Sequence, residues 1–175
     1  MHLSDTREIA APPEVVWAAI INPDVLRECV PGCQEMIGTP EDGFEAVVVQ
    51  KVGPVKATFK GIVSLSDMNE PNSLTLSGEG KGGAAGFAKG GADVTLTRNG
   101  EGTTLHYEVE AKVGGKLAQL GSRIIDGFAK KMADQFFTRL ADAVEGPPDE
   151  SDAPEAEAEA TQSDRKKGWF KRMVS

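Results

Sequence analysis

A chain of 175 residues, 39% of them apolar, has the length for one domain with a real core and not for a second full domain. Its longest apolar run, Val15 to Ile21, falls far short of the roughly 18 to 20 residues that span a bilayer, and Met1 to Ala10 lacks an apolar signal core. The formal charge of -8 hides three blocks: 14 bases against 19 acids in residues 1–144, eight acids and no base from Glu145 to Asp164, and five bases with no acid from Arg165 to Ser175. The only basic cluster visible in the sequence is therefore terminal, which argues against nucleic acid as a partner of the globular part.

Leu3 to Ile9 reads as a first strand. Pro12-Pro13 then opens a helix whose Val15, Val16, Ala19 and Ile20 form an apolar stripe. Asn22-Pro23-Asp24 starts a second short helix, with Val25, Leu26 and Cys29 on one face, and Pro31-Gly32 ends it. Cys29 and Cys33 read as reduced, small apolar side chains. A metal site would need more ligands than His2 and His106 supply, although the break at Pro31-Gly32 leaves room for a redox pair.

From Phe44 to Val113 the apolar period falls to two, the signature of strands with one buried and one wet face. Val55, Ala57, Phe59, Gly61, Val63 and Leu65 share one face, as do Leu105, Tyr107, Val109, Ala111 and Val113, with His106, Glu108, Glu110 and Lys112 outside. Gly78 to Gly83 spells a dinucleotide-binding pattern. However, Ala92 to Thr97 after it reads as a strand, where a phosphate loop needs a helix, so the glycines are expected at sheet bends instead.

After Gly114-Gly115 one helix is predicted to about Val144, carrying Leu117, Leu120, Ile124, Phe128, Met132, Phe136 and Leu140 at helical spacing. Its length, on the order of 40 Å, fits a small α+β domain only if it lies across the concave face of a curved antiparallel sheet. Ala57, Gly61, Gly78 and Ala111 are too small to fill that interface, which predicts an internal apolar cavity. Trp17, Phe44, Phe59, Phe87, Leu120, Ile124 and Phe128 are candidate lining residues, with Tyr107 as a polar handle. Leu26, Cys29, Pro31 and Cys33 are placed at a mouth between the short helices and the long one.

Several strings carry a resemblance to a known family: Ala11-Pro-Pro-Glu-Val-Val-Trp17, Asn22-Pro-Asp-Val-Leu26, Cys29-Val-Pro-Gly-Cys33, Val52-Gly-Pro-Val55, the glycine-rich stretch, Val113-Gly-Gly-Lys-Leu-Ala-Gln-Leu-Gly121 and Phe136-Phe137. Over most of residues 1–144 the chain resembles the G-subunit family of carbon monoxide dehydrogenase, within the START-like helix-grip (SRPBCC) superfamily. The resemblance implies a helix-grip fold and a non-catalytic accessory of aerobic molybdenum-containing carbon monoxide dehydrogenase or a related hydroxylase. It also implies a link to membrane attachment.

Gly146-Pro147-Pro148 stops the long helix, and residues 145–164 read as a disordered acidic linker reaching roughly 25 Å or more. Residues 165–175 form a basic tail whose Trp169, Phe170, Met173 and Val174 share one arc of a helical wheel. Lys166, Lys167, Lys171 and Arg172 supply its charge, which suits weak attachment to an anionic membrane or docking to a protein partner. The expectation is a cytoplasmic protein peripheral to the inner membrane, with no metal and no tightly bound cofactor. It carries an apolar molecule, a quinone or other prenyl lipid by preference, because an oxidative partner must pass electrons onward. The alternatives are a ligand-free adaptor, and a cyclase or dehydratase using Tyr107 as the one inward acid or base.

Overall fold

A computed structural model describes residues 1–145 and the backbone of Arg165–Trp169 and Lys171–Val174. The chain divides into two compact units, Met1–Val144 and Glu145–Ser175. Residues 146–164, most of the stretch read above as a linker, lie outside the described residues, as do the tail side chains.

In the first unit β1 (His2–Ile9) leads into α1 (Pro13–Ile20) and α2 (Pro23–Cys29), each opened by a proline whose missing N–H costs nothing in the first turn. The Asn22 side chain caps α2 by accepting from the Asp24 N–H at 2.9 Å. An antiparallel meander follows: β2 (Cys33–Thr39), β3 (Gly43–Val52), β4 (Val55–Asn69), β5 (Ser73–Lys81), β6 (Phe87–Asn99) and β7 (Gly102–Gly114). With β1 on the edge of β7 they form one seven-stranded sheet in the order β1-β7-β6-β5-β4-β3-β2. Along β4, burial alternates at every residue from Val55 to Ser66, as the period-two pattern requires.

Two expectations need correction. First, β2 had no counterpart in the sequence reading. It is an edge strand, mostly exposed along its length, so Cys33-Gln-Glu-Met-Ile-Gly-Thr39 carries no clean alternation. Second, the single long helix is two elements, α3 (Lys116–Gln119) and α4 (Ser122–Glu145). Gly121 takes φ +90°, a left-handed conformation incompatible with continuing the helix.

Helix α4 still runs across the inner face of the sheet. Its far end packs into a closed core with Ile9, Val16, Trp17, Leu105 and Leu140, in which Val16 and Leu140 have no exposed surface. Its near end joins a smaller cluster of Val52, Leu117 and Ile125. The edge strand β1 ties the helix down through Arg7, which donates to Asp134, lies 3.5 Å from Asp5 and sits 5.3 Å from the Phe137 ring centre.

In the second unit the backbone pairs Arg165–Trp169 (β8) with Lys171–Val174 (β9) in antiparallel register. This replaces the helical wheel read for the tail. The segment is shorter than the roughly 12 to 15 residues a lone helix needs in water, and Gly168 lies within it. No described helix is long and apolar enough to cross a membrane.

Candidate functional site

Between the two clusters the space under α4 is not filled. One chamber of about 260 Å³ lies toward the closed core, between Phe44, Leu74, Leu76 and Tyr107 on the sheet side and Phe136 and Phe137 on the helix. A second, of about 380 Å³, lies toward the start of α4, between Val48, Phe59 and Val113 on the sheet and Phe128, Ala129 and Met132 on the helix. Val109 and Ala133 line both, so the chambers are neighbours on either side of these two residues of β7 and α4.

The space exists because the sheet floor lacks side chains there. One ladder row reads Ala111, Gly90, Gly78, Val63, Phe44 across β7 to β3, and the next reads Val113, Ala88, Gly80, Gly61, Ala46. At Gly80 a Cβ would have nothing nearer than 4.0 Å, so the missing side chain is not demanded by the backbone. At Gly90, by contrast, a Cβ would lie 2.2 Å from the Glu110 carbonyl oxygen, and only glycine fits.

Polar groups are sparse in both chambers. Tyr107 presents its ring to the first, stacked on Phe137 at 4.7 Å, while its hydroxyl interacts with Arg7. Burial opposes the charge of Arg7, but its interactions with Asp134 and Tyr107 outweigh that and hold the guanidinium above its ordinary pKa. The Asp134 carboxyl is correspondingly held below the usual range, chiefly by the Arg7 hydrogen bond. Gln50 is the one polar side chain lining the second chamber, and its Nε2 donates to the Pro31 carbonyl. Among the described residues no group of His, Cys, Asp and Glu is placed to hold a metal.

Of the residues proposed from sequence, Leu26, Phe44 and Tyr107 line the first chamber, and Phe59 and Phe128 the second. The others lie elsewhere. Trp17 and Cys29 belong to the closed core, because α1 and the end of α2 turn those positions inward against each other and the sheet. Burial pushes both the Cys29 and Cys33 thiols above their usual pKa, so both are protonated at neutral pH, and Cys33 Sγ donates to the Glu35 carbonyl at 3.3 Å. Pro31 and Gly32 are pinned to β3, the Val49 N–H donating to the Gly32 carbonyl at 2.9 Å. Phe87 stands exposed at the start of β6, its ring beside Gly114. Leu120 and Ile124 sit under the β3–β4 turn, within 4 Å of where a Gly53 Cβ would be, because the break at Gly121 rotates them away from the chambers.

Sequence reasoning missed Val30, Met36, Val109 and Ala133 among the lining residues. The signal for Ala133 was available, since it lies one residue after Met132 and one helical turn before Phe137 on a face already called apolar. The second chamber adjoins a surface groove beside the α3–α4 junction. Met1, Ala111, Val113 and Ile125 line both, and Lys112, Ser122 and Asp126 line the groove alone.

The architecture recurs in solved structures. A conserved protein from Geobacillus kaustophilus is 29% identical, with a TM-score of 0.78 over 83% of this chain and 95% of its own. A START superfamily protein from Mycobacterium smegmatis, 15% identical, gives 0.63 over 82% and 97%, and a protein from Chromobacterium violaceum, 18% identical, gives 0.62 over 83% and 98%. These likenesses make the fold a START-like helix grip. No curated protein matches the chain. The family model of the carbon monoxide dehydrogenase G subunit (CoxG) matches residues 6–145, the whole of the meander and α4, and the chain belongs to that family.

Proposed function

We propose that the protein is a non-catalytic accessory of a molybdenum hydroxylase of carbon monoxide dehydrogenase type, and that it carries one elongated apolar molecule in the two chambers. The observation that carries this reading is the pair of neighbouring chambers sharing Val109 and Ala133, whose described lining side chains are apolar except for Gln50 and Tyr107. Together they offer space for a molecule with a ring and a chain, and a quinone or other prenyl lipid has that form and that polarity. The family supplies the oxidative partner, and the basic tail with Trp169 and Phe170 supplies attachment to the inner membrane face.

The rival is a ligand-free adaptor that only recruits the dehydrogenase. Solvent extraction and mass analysis of protein purified from its natural host without detergent separates the two. A hydrophobic molecule recovered near one per chain supports the carrier. Repeatedly empty protein, with no quinone-dependent quenching of tryptophan emission, leaves the adaptor.

A further inference from the structure

Almost no polar surface reaches either chamber. The two polar side chains on their walls are committed elsewhere: the Gln50 Nε2 donates to the Pro31 carbonyl, and the Tyr107 hydroxyl is engaged with Arg7 on β1. A carbonyl or hydroxyl enclosed beside them would give up its water partners and gain no new ones, at a loss of roughly tenfold in affinity for each such group. Both chambers are therefore built for hydrocarbon.

The groove beside the α3–α4 junction has different walls. It holds about 470 Å³ and shares Met1, Ala111, Val113 and Ile125 with the second chamber, but it adds Lys112, Ser122 and Asp126. All three are exposed, and neither Lys112 nor Asp126 is in an ion pair among the described residues. Glu110, two residues before Lys112 on β7, lies 3.6 Å from His2. Gly121 lines the same groove, and a Cβ there would meet nothing within 4 Å, so the space above it is open. An ammonium and a hydroxyl as donors and a carboxylate as acceptor thus stand at one end of an apolar space.

From this contrast we infer that the carried molecule is an amphiphile held hydrocarbon-first: its apolar chain fills the second chamber and runs toward the first, while its oxygen-bearing head stays in the groove between Lys112, Ser122 and Asp126. The inference rests on the carrier reading above and adds an orientation to it. Val113 and Ile125, common to groove and chamber, grip the molecule where head passes into chain. In a quinone the ring carbonyls accept from Lys112 and Ser122, and the Asp126 carboxylate accepts from the hydroxyl of the reduced ring. The reverse orientation would set the ring against Tyr107 and Phe137 with its oxygens unpaired, and would lay hydrocarbon in a charged groove. Held this way, the head is within reach of a protein partner while the hydrocarbon stays buried.

Displacement of Nile red from the full-length protein by two probes tests this: decylubiquinone, and decylbenzene, which has the same alkyl chain on a ring without oxygen. Lys112→Met, Ser122→Ala and Asp126→Ala together should weaken the quinone by about tenfold and leave decylbenzene unchanged. Gln50→Leu and Tyr107→Phe, which alter the chambers, should leave the ratio of the two affinities as it is. Gly80→Leu, which fills the second chamber, should weaken both probes alike. The three groove positions are exposed, so that variant should melt close to the wild type, which shows that it folds. An unchanged affinity ratio in the groove variant, or a ratio lowered by Gln50→Leu or Tyr107→Phe instead, would overturn the inference and leave the carrier reading standing. Wild-type protein that binds neither probe would contradict the carrier reading, and the inference with it.

Discussion

The two ends of the space beneath α4 are built from the same sheet and the same helix, yet they differ in kind. At the far end large side chains meet: Leu140 fills the gap between α4 and Trp17, Leu105 and Ile9, and the buried Thr103 hydroxyl donates to the Ala11 carbonyl at 2.7 Å. At the near end the floor is Gly80, Gly61 and Ala88, and Phe59 and Phe128 remain half-buried. Nothing in backbone geometry forces the second arrangement at Gly80. A domain can hold its helix with one closed end and leave the other end open, so stability and binding capacity are separable along one helix.

The difference is broken most sharply by truncation. Leu140→Ala, at a site with no exposed surface, should cost about 2 to 5 kcal/mol in denaturant unfolding. Phe128→Ala faces the second chamber and should cost visibly less than the roughly 3 to 5 kcal/mol of a packed phenylalanine. Equal losses would mean that the near end is ordinary core.

Glycines sharpen the same comparison at smaller scale. Gly90→Ala drives a methyl into the Glu110 carbonyl and should destabilise by about 1 to 3 kcal/mol. Gly80→Leu occupies empty space on a strand and should stabilise by about 0.5 to 2 kcal/mol in thermal unfolding of the ligand-free protein.

The smallest effect concerns the strap from β1. Because the folded pKa of Asp134 lies below its unfolded value, its contribution is present above the ordinary carboxylate range, about pH 4, and is lost as pH falls through the folded value. Asp134→Asn should therefore lower the melting temperature at neutral pH and flatten the acid side of the profile, the two curves converging at low pH. Parallel curves throughout would show that the Arg7 contact does not stabilise the folded state.

Much of this was legible in the sequence. The period-two faces of β4 and β7 and the small residues among them announced a sheet with space above it, because alternation and side-chain volume are local properties. What escaped depended on neighbours. Edge strand β2 has no buried face to pattern it, and the break at Gly121 turned Leu120 and Ile124 from the chambers to the β3–β4 turn. Trp17 read as a lining residue because its size was visible and its partners were not. The lysine pairs of the sheet were invisible for the same reason. Lys60 and Lys81 stand 21 residues apart and meet only through register, so a reading of runs found positive charge in the tail alone.

The most direct test of the central claim is occupancy of the filled chamber. Stoichiometric titration with a long-chain quinone, followed by tryptophan quenching and native mass spectrometry, should give one molecule per chain in the wild type. In Gly80→Leu, which closes the second chamber without straining the fold, binding should be lost or weakened at least tenfold. Full binding by the filled variant at unchanged affinity, or none by the wild type, would contradict the account.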